Sequence, residues 1–322
     1  AAIVGNLGLT YMNLGQYDEA IPWLERQLDI CRKAGDKQGM AGLFTNLGIV
    51  RYEKGDYDAA LVNFQQGLAL AEELGNKLLV CIATGCMGSV FQQKGDYSRA
   101  MEHFQRDLAL TEELGDKQGK AIALGLIGDL YSTMGQFDEA IDYLQQQLAL
   151  SEELRYQKGI AKAVNSLGDV YFFLGDYEQS LHYYDRAIDI ARRIDNRLVL
   201  GFSLVEKAIV LCEAGQHDEA HRIAEEAARL AHELGNPDLQ FETRLVQARI
   251  ARAAGRTDEA HALLTELRSG LLGRKEQAAV FFELHALTGD ETYRQRALDL
   301  YQALFAETPR YLYRLRIEAL LR

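Results

Sequence analysis

The sequence predicts an all-α protein in which helical hairpins stack into a solenoid, and three observations carry that expectation. Gly15, Gly55, Gly95, Gly135, Gly175, Gly215 and Gly255 stand 40 residues apart without a slip. One word recurs around them: NLGQYDEA at 13–20, EKGDYDAA at 53–60, QKGDYSRA at 93–100, TMGQFDEA at 133–140 and FLGDYEQS at 173–180, with weaker copies at 213–220 and 253–260. Apolar residues between the glycines keep helical spacing, as at 40, 43, 44 and 47. A fixed period of this size marks stacked supersecondary units. Arrays of this kind recognise partners along an extended concave surface more often than they catalyse.

Residues 36–75 serve as the type unit. Gly35 suits the left-handed position that ends a helix, and Asp36 after it can cap the next one with its side chain. The same Gly-Asp or Gly-Asn hinge returns at 75–76, 115–116 and 235–236, where Pro237 takes a first helical position that needs no N–H. The first helix of the pair is expected over about 37–53. Gly55 breaks the chain, and the second helix follows over about 57–74 with Tyr57, Ala60, Leu61, Phe64 and Leu68 inward. Small residues recur at Gly8, Gly48, Gly88, Gly128 and Gly168 and at Ala20, Ala60, Ala100 and Ala140, where two helices of a pair must approach closely. Tyr11, Phe91, Tyr131 and Tyr171 fill the space beside them. One hairpin cannot bury both its faces, so stability accumulates between neighbours.

Composition narrows the function. The 322 residues are 48% hydrophobic and 25% charged, with no run of about 20 apolar residues that would span a bilayer. Net charge is −12 and uneven: residues 1–243 carry −15 and residues 244–322 carry +3. An acidic body disfavours nucleic acid, whose phosphates need clustered Lys and Arg. Cys31, Cys81, Cys86 and Cys212 form no CxxC pair and fall at helical positions, as reduced buried or groove-lining thiols of a cytoplasmic protein do. The chain opens on Ala1 inside a repeat, from which we expect a fragment of a longer polypeptide whose upstream domain is a partner of this one.

The pattern Leu7-Gly8-x-x-Tyr11, Ala20, Leu24, repeated as Leu47-Gly48, Ala60, Phe64 and as Leu167-Gly168-x-x-Tyr171, Ser180, Tyr184, resembles the tetratricopeptide repeat (TPR). The 40-residue spacing with its LGD and LGN hinges is similar to the longer variety in kinesin light chain and the Leu-Gly-Asn repeat scaffold proteins. The resemblance covers residues 1–269 and implies a right-handed superhelix of seven hairpins, the first truncated at its N-terminus, that recognises a protein or peptide. Residues 270–322 depart from the pattern. Gly289 keeps a turn, Tyr293 and Ala297 stand four apart rather than three, and a terminal helix is expected from about 309 with Arg314, Arg316, Glu318 and Arg322 outward. We read a divergent eighth hairpin and a capping helix, which resembles the tails of bacterial multidomain signalling proteins carrying a cyclase, a kinase or a STAND-type ATPase.

In the family's geometry certain positions of each first helix line the groove. Here they supply Asn6, Asn46, Tyr52, Gln92, Asp129, Asn165, Asp169, Phe172, Phe173, Glu206, Arg249 and Arg252. These amides, carboxylates and rings suit extended-peptide recognition. Asn6 and Asn46 match the asparagine with which scaffold relatives bond a peptide backbone, although Cys86 and Leu126 interrupt the ladder. Asp129 and Asp169 stand one repeat apart on one row and suit a basic or amine-bearing partner. The Lys and Asn of chaperone-binding relatives are replaced by Gly5/Leu9, Thr45/Ile49 and Gly85/Ser89.

Signals for catalysis are weak. His217 and His221 stand at i, i+4, but the glutamate between them belongs to the recurring DEA word and no third ligand is evident. Gly270–Lys275 lacks the Ser or Thr and the preceding strand of a phosphate loop. Glu72-Glu73, Glu112-Glu113 and Glu152-Glu153 read as solvated charge on the outer face. The sequence therefore predicts a non-catalytic peptide-binding module with no metal and no cofactor, the sensor or regulatory region of a larger signalling protein. A small-molecule sensor and a self-assembly scaffold are the alternatives.

Overall fold

The computed structural model describes residues 2–270 and 272–322, with side chains from residue 7 onward except those of 13 and 271. Every regular element among the described residues is a helix. In chain order they are α1 (Ala2–Asn13), α2 (Tyr17–Ala34), α3 (Lys37–Glu53), α4 (Tyr57–Glu73), α5 (Lys77–Gln93), α6 (Tyr97–Leu114), α7 (Lys117–Met134), α8 (Phe137–Glu153), α9 (Gln157–Leu174), α10 (Tyr177–Arg193), α11 (Arg197–Glu213), α12 (His217–Leu234), α13 (Pro237–Ala253), α14 (Thr257–Ser269), α15 (Arg274–Thr288), α16 (Glu291–Glu307) and α17 (Tyr311–Leu321).

The breaks between helices follow from the hinge chemistry. Gly35, Gly75, Gly115 and Gly235 have φ between 60° and 68°, which costs a glycine nothing. The residue after each hinge then caps: Asp36 accepts from the Gly39 N–H at 2.8 Å, Asp116 from Gly119 at 2.9 Å and Asn236 from Leu239 at 2.8 Å.

Packing divides the chain into two units, Ala1–Leu130 and Tyr131–Arg322, with the division inside α7. In the first unit α1 to α6 pack each on the next, and the first helices α3 and α5 also meet directly. In the second unit α8 to α17 pack in the same succession, with α11 against α13 and α13 against α15. First helices that touch one another form an inner row in each unit, and the core lies between hairpins.

Small residues set the helix spacing. A methyl group at position 48 would lie 2.5 Å from the Phe64 ring, and one at position 88 would lie 2.5 Å from Phe104. Beside them the aromatic residues stack across the hairpin: Phe91 with His103 at 5.2 Å, Tyr131 with Tyr143 at 5.6 Å and Tyr171 with Tyr183 at 5.5 Å.

The paired glutamates are exposed charge, as expected, and are also ion-paired, whereas the outward placing of Arg316 is corrected. Glu73 holds Lys37, Glu113 holds Lys77 at 2.5 Å, Glu72 holds Arg106 at 2.8 Å, Glu112 holds Lys120 at 2.7 Å, and Glu152 holds Arg186. These pairs tie neighbouring helices together at the surface, where each contributes about 0–1 kcal/mol. Arg316 is not on the outer side of α17; it lies 4.3 Å over the Phe282 ring and beside Glu283.

Candidate functional site

Most predicted groove residues of both units have partners within the chain. In the second unit nearly every predicted groove residue has an internal partner. The Asn165 amide donates to the Ala161 carbonyl at 2.9 Å and accepts from Ser203 Oγ at 3.0 Å, bridging α9 and α11. Asp169 accepts from the buried Tyr184 hydroxyl. Phe172 and Phe173 lie 5.6 Å apart. They are not an open aromatic face: Tyr311 of α17 meets Phe173 edge-on at 5.7 Å and Phe137 at 5.0 Å, and Tyr177 lies 6.1 Å from Phe172. Large rings left in water are unfavourable, and here the chain's own last helix covers Phe173.

Arg249 and Arg252 were expected to face a ligand, but both turn to Glu283 of α15, at 2.6 Å and 3.4 Å. Glu283 is 2% exposed. Burial would raise its pKa, but Arg249, Arg316 and Arg252 outweigh burial and hold it below the usual carboxylate range. Glu206 experiences the opposite balance. Burial first, then the Asp169 and Glu242 carboxylates, push it up to about 8 against the opposing pull of Arg249 and Lys275.

In the first unit the exception is Asn46, while Tyr52 hydrogen-bonds Gln93. The Asn6 side chain lies outside the described residues. Asn46 is half-buried on α3 with no hydrogen bond from its amide among the described residues. Tyr52 sits 5.7 Å from Tyr57, its phenol pushed up chiefly by burial. Gln92, near the end of α5, and Asp129, on α7, are half-buried, and both have partners.

Between α5, α6 and α7 the hairpins leave a cavity of about 480 Å³. Leu78, Ile82, Ile122 and Leu126 form apolar walls, Cys81, Cys86 and Ser89 add small polar groups, and Asp107 and Asp116 supply carboxylates. Burial, then the Asp107 charge, pushes the Cys86 thiol up to about 12 and Cys81 to about 11, so both stay protonated at neutral pH and act as apolar lining. Asp107 is 6% exposed and, among the described residues, accepts no hydrogen bond and forms no ion pair. Burial and then Asp116 push its carboxyl up to about 7.

Sequence reasoning passed over Asp107, Glu283 and Tyr311. One of them, Asp107, carries a legible signal. Where the chain has Asp107, the other repeats have Gln27, Gly67, Gln147, Ala187 and Ala227, so a charge there is out of pattern. Across from it stands Gly85, at a repeat position that Gly5 and Gly125 also occupy, and a methyl at 85 would lie 2.8 Å from Asp107 Oδ2. Glu283 lies in the non-repeating tail, where no register compares it with another residue. Among the described residues no group of three or more His, Cys, Asp or Glu side chains is placed to hold a metal ion, and no helix is long and apolar enough to cross a membrane.

The comparisons with known proteins agree with the repeat geometry. The tetratricopeptide repeat profile matches residues 1–73 and 79–153, and the MalT-like TPR region profile matches residues 119–279. No curated protein matches the sequence. Among solved structures the chain is similar to a Rap conjugation gene regulator of the plasmid pLS20 in complex with the Phr* peptide. The identity is 15%, coverage is 94% of this chain and 96% of that one, and the TM-score is 0.69. It is also similar to a Rap protein complexed with Competence and Sporulation Factor, at 12% identity, with 95% and 98% coverage and a TM-score of 0.69. A third is a signal transduction ATPase with numerous domains from Pyrococcus horikoshii that bears a TPR sensor. There the identity is 17%, coverage is 80% of this chain but 40% of that one, and the TM-score is 0.63. With its period, hairpin packing and profile matches in accord, the chain belongs to the tetratricopeptide repeat family.

Proposed function

We propose that this protein is a non-catalytic recognition module that binds a polypeptide segment along the first-helix face of its hairpins. We infer further that it is the sensor or regulatory region of a larger signalling protein. The observation that carries the reading is the unbonded Asn46 amide on the first-helix face of the first unit. Among the described residues that amide has no partner and an open cavity adjoins α5 and α7, whereas the outer-face glutamates are tied off in ion pairs. An amide held half-buried without a bond is poised to accept one from an incoming peptide backbone. The Rap structure with a bound peptide and the ATPase with a repeat sensor support both halves of the reading by likeness of fold. Four free thiols fit a cytoplasmic location.

Calorimetric titration of a peptide panel tests the proposal. Asn46→Ala is expected to weaken a binding peptide about tenfold, the value of one hydrogen bond in a desolvated groove. If Asn46→Ala and Tyr52→Ala leave every measured affinity unchanged, the first-helix face is not the recognition surface. A cavity of about 480 Å³ falls in the range of small-molecule sites, which favours a metabolite sensor as the second reading.

A further inference from the structure

We propose that the cavity between α5, α6 and α7 receives a cationic group on an alkyl stem, with Asp107 as its counter-charge. An arginine or lysine side chain of a polypeptide and a free alkylamine share this chemistry. The inference deepens the recognition reading above and rests on it.

Asp107 is the starting point. The residue is 6% exposed, what remains open of it faces the cavity, and no donor among the described residues bonds its carboxylate. Burying a polar group without a partner is costly, and native chains seldom leave one so. The fold does not need an acid here, since the same place in other repeats is filled by Gly67, Ala187 or Ala227. The chain also makes room for it: Gly85 omits the side chain that would press on Asp107 Oδ2.

The surroundings indicate what is missing. No basic residue lines the cavity, and the nearest titratable neighbours are Asp116 at the start of α7 and the protonated thiols of Cys81 and Cys86. Lys77 and Lys120 are engaged by Glu113 and Glu112. Two carboxylates in an apolar cleft with no cation create a field that a cation relieves. Exposed Leu78, Ile82 and Ile122 stand at the mouth, where an alkyl stem would cover them. Without a ligand the carboxyl titrates at about 7, so occupancy by a cation releases a proton and strengthens as pH rises through that value.

The test uses the full chain with two kinds of probe. Agmatine and cadaverine stand for free amines. Hexapeptides carrying arginine or lysine stand for a polypeptide, each paired with a counterpart in which citrulline or norleucine removes the charge. The expected result is that cationic probes bind at least about thirtyfold more tightly than neutral ones, and that Asp107→Asn abolishes this difference while raising the melting temperature. Gly85→Ala, which presses a methyl on the carboxylate, is expected to weaken cationic probes as well. Preference for the peptides identifies a polypeptide as the source, and binding of the amines alone supports the pocket while overturning the polypeptide reading. If charge makes no difference, or if Asp107→Asn preserves the difference, the pocket proposal is overturned. In that event Asn46-dependent peptide binding would still leave the recognition face standing.

Discussion

Arg155 and Asp195 occupy hinge positions that Gly35, Gly75, Gly115 and Gly235 fill in other repeats, and they adopt the same left-handed backbone with φ of 55° and 52°. A side chain with a Cβ is strained there by about 1–2 kcal/mol, while glycine costs about 0.5–1 kcal/mol more unfolded-state entropy. Arg155→Gly is therefore expected to stabilise the chain by roughly 1 kcal/mol, and Asp195→Gly by less, because aspartate tolerates this region better. Denaturant unfolding of each variant measures it, and a loss of stability for Arg155→Gly would show that the side chain contributes more than the strain it causes. The glycine at a hinge is legible in the sequence because its φ is dictated locally. Arg155 shows that the hinge is imposed by the stack even where the local preference opposes it.

Among the elements, α17 departs most from expectation. Its sequence suggests a polar cap, and Glu318 and Arg314 do remain exposed. Tyr313 and Leu320, however, are buried in the last core cluster, Arg294 Nη1 donates to the Leu320 carbonyl at 2.9 Å, and Tyr311 reaches Phe137 and Phe173. A methyl group on Gly135 would collide with the Tyr311 ring, so α8 begins directly against it. Tyr311→Ala is expected to cost about 1–3 kcal/mol, below the value for a fully buried ring because Tyr311 is only half-buried. Hydrogen exchange should show lost protection in both α17 and the start of α8. If α17 alone loosened, the contact would carry no stability between these elements. The helix itself was readable from its pattern. Its long-range contact was not, because the residues involved lie more than a hundred positions apart and share no periodicity.

At the scale of the whole molecule, stability is a sum of hairpin interfaces, and two buried acids give it a pH dependence. Asp107 titrates at about 7 and Glu206 at about 8, both above their ordinary values because of burial and neighbouring carboxylates. An acid whose folded pKa is raised keeps a proton that the unfolded chain has already released. Stability accordingly falls as pH climbs from the ordinary carboxylate range through about 7 and 8, by up to about 1.4 kcal/mol per unit for each group. Glu283 has the opposite sign: its depressed pKa contributes stability at neutral pH that is lost on acidification. Unfolding at pH 5.5 and pH 8 should show a less stable chain at the higher pH. Glu206→Gln and Asp107→Asn should each flatten the slope. An unchanged slope in both variants would place the titration elsewhere.

The period alone determined the helical hairpins, their hinges, their caps and the small residues at their crossings, because each depends on neighbours within a few residues or one repeat. Only the tertiary structure decided which inner-face groups remain available. Arg249 and Arg252 are engaged by Glu283, Phe173 is covered by Tyr311 and Phe172 packs on Tyr177, and Asp107 is left without a cation in its cavity. Whether a polar side chain faces a ligand or an internal partner depends on what the fold brings opposite it, and local spacing carries no record of that.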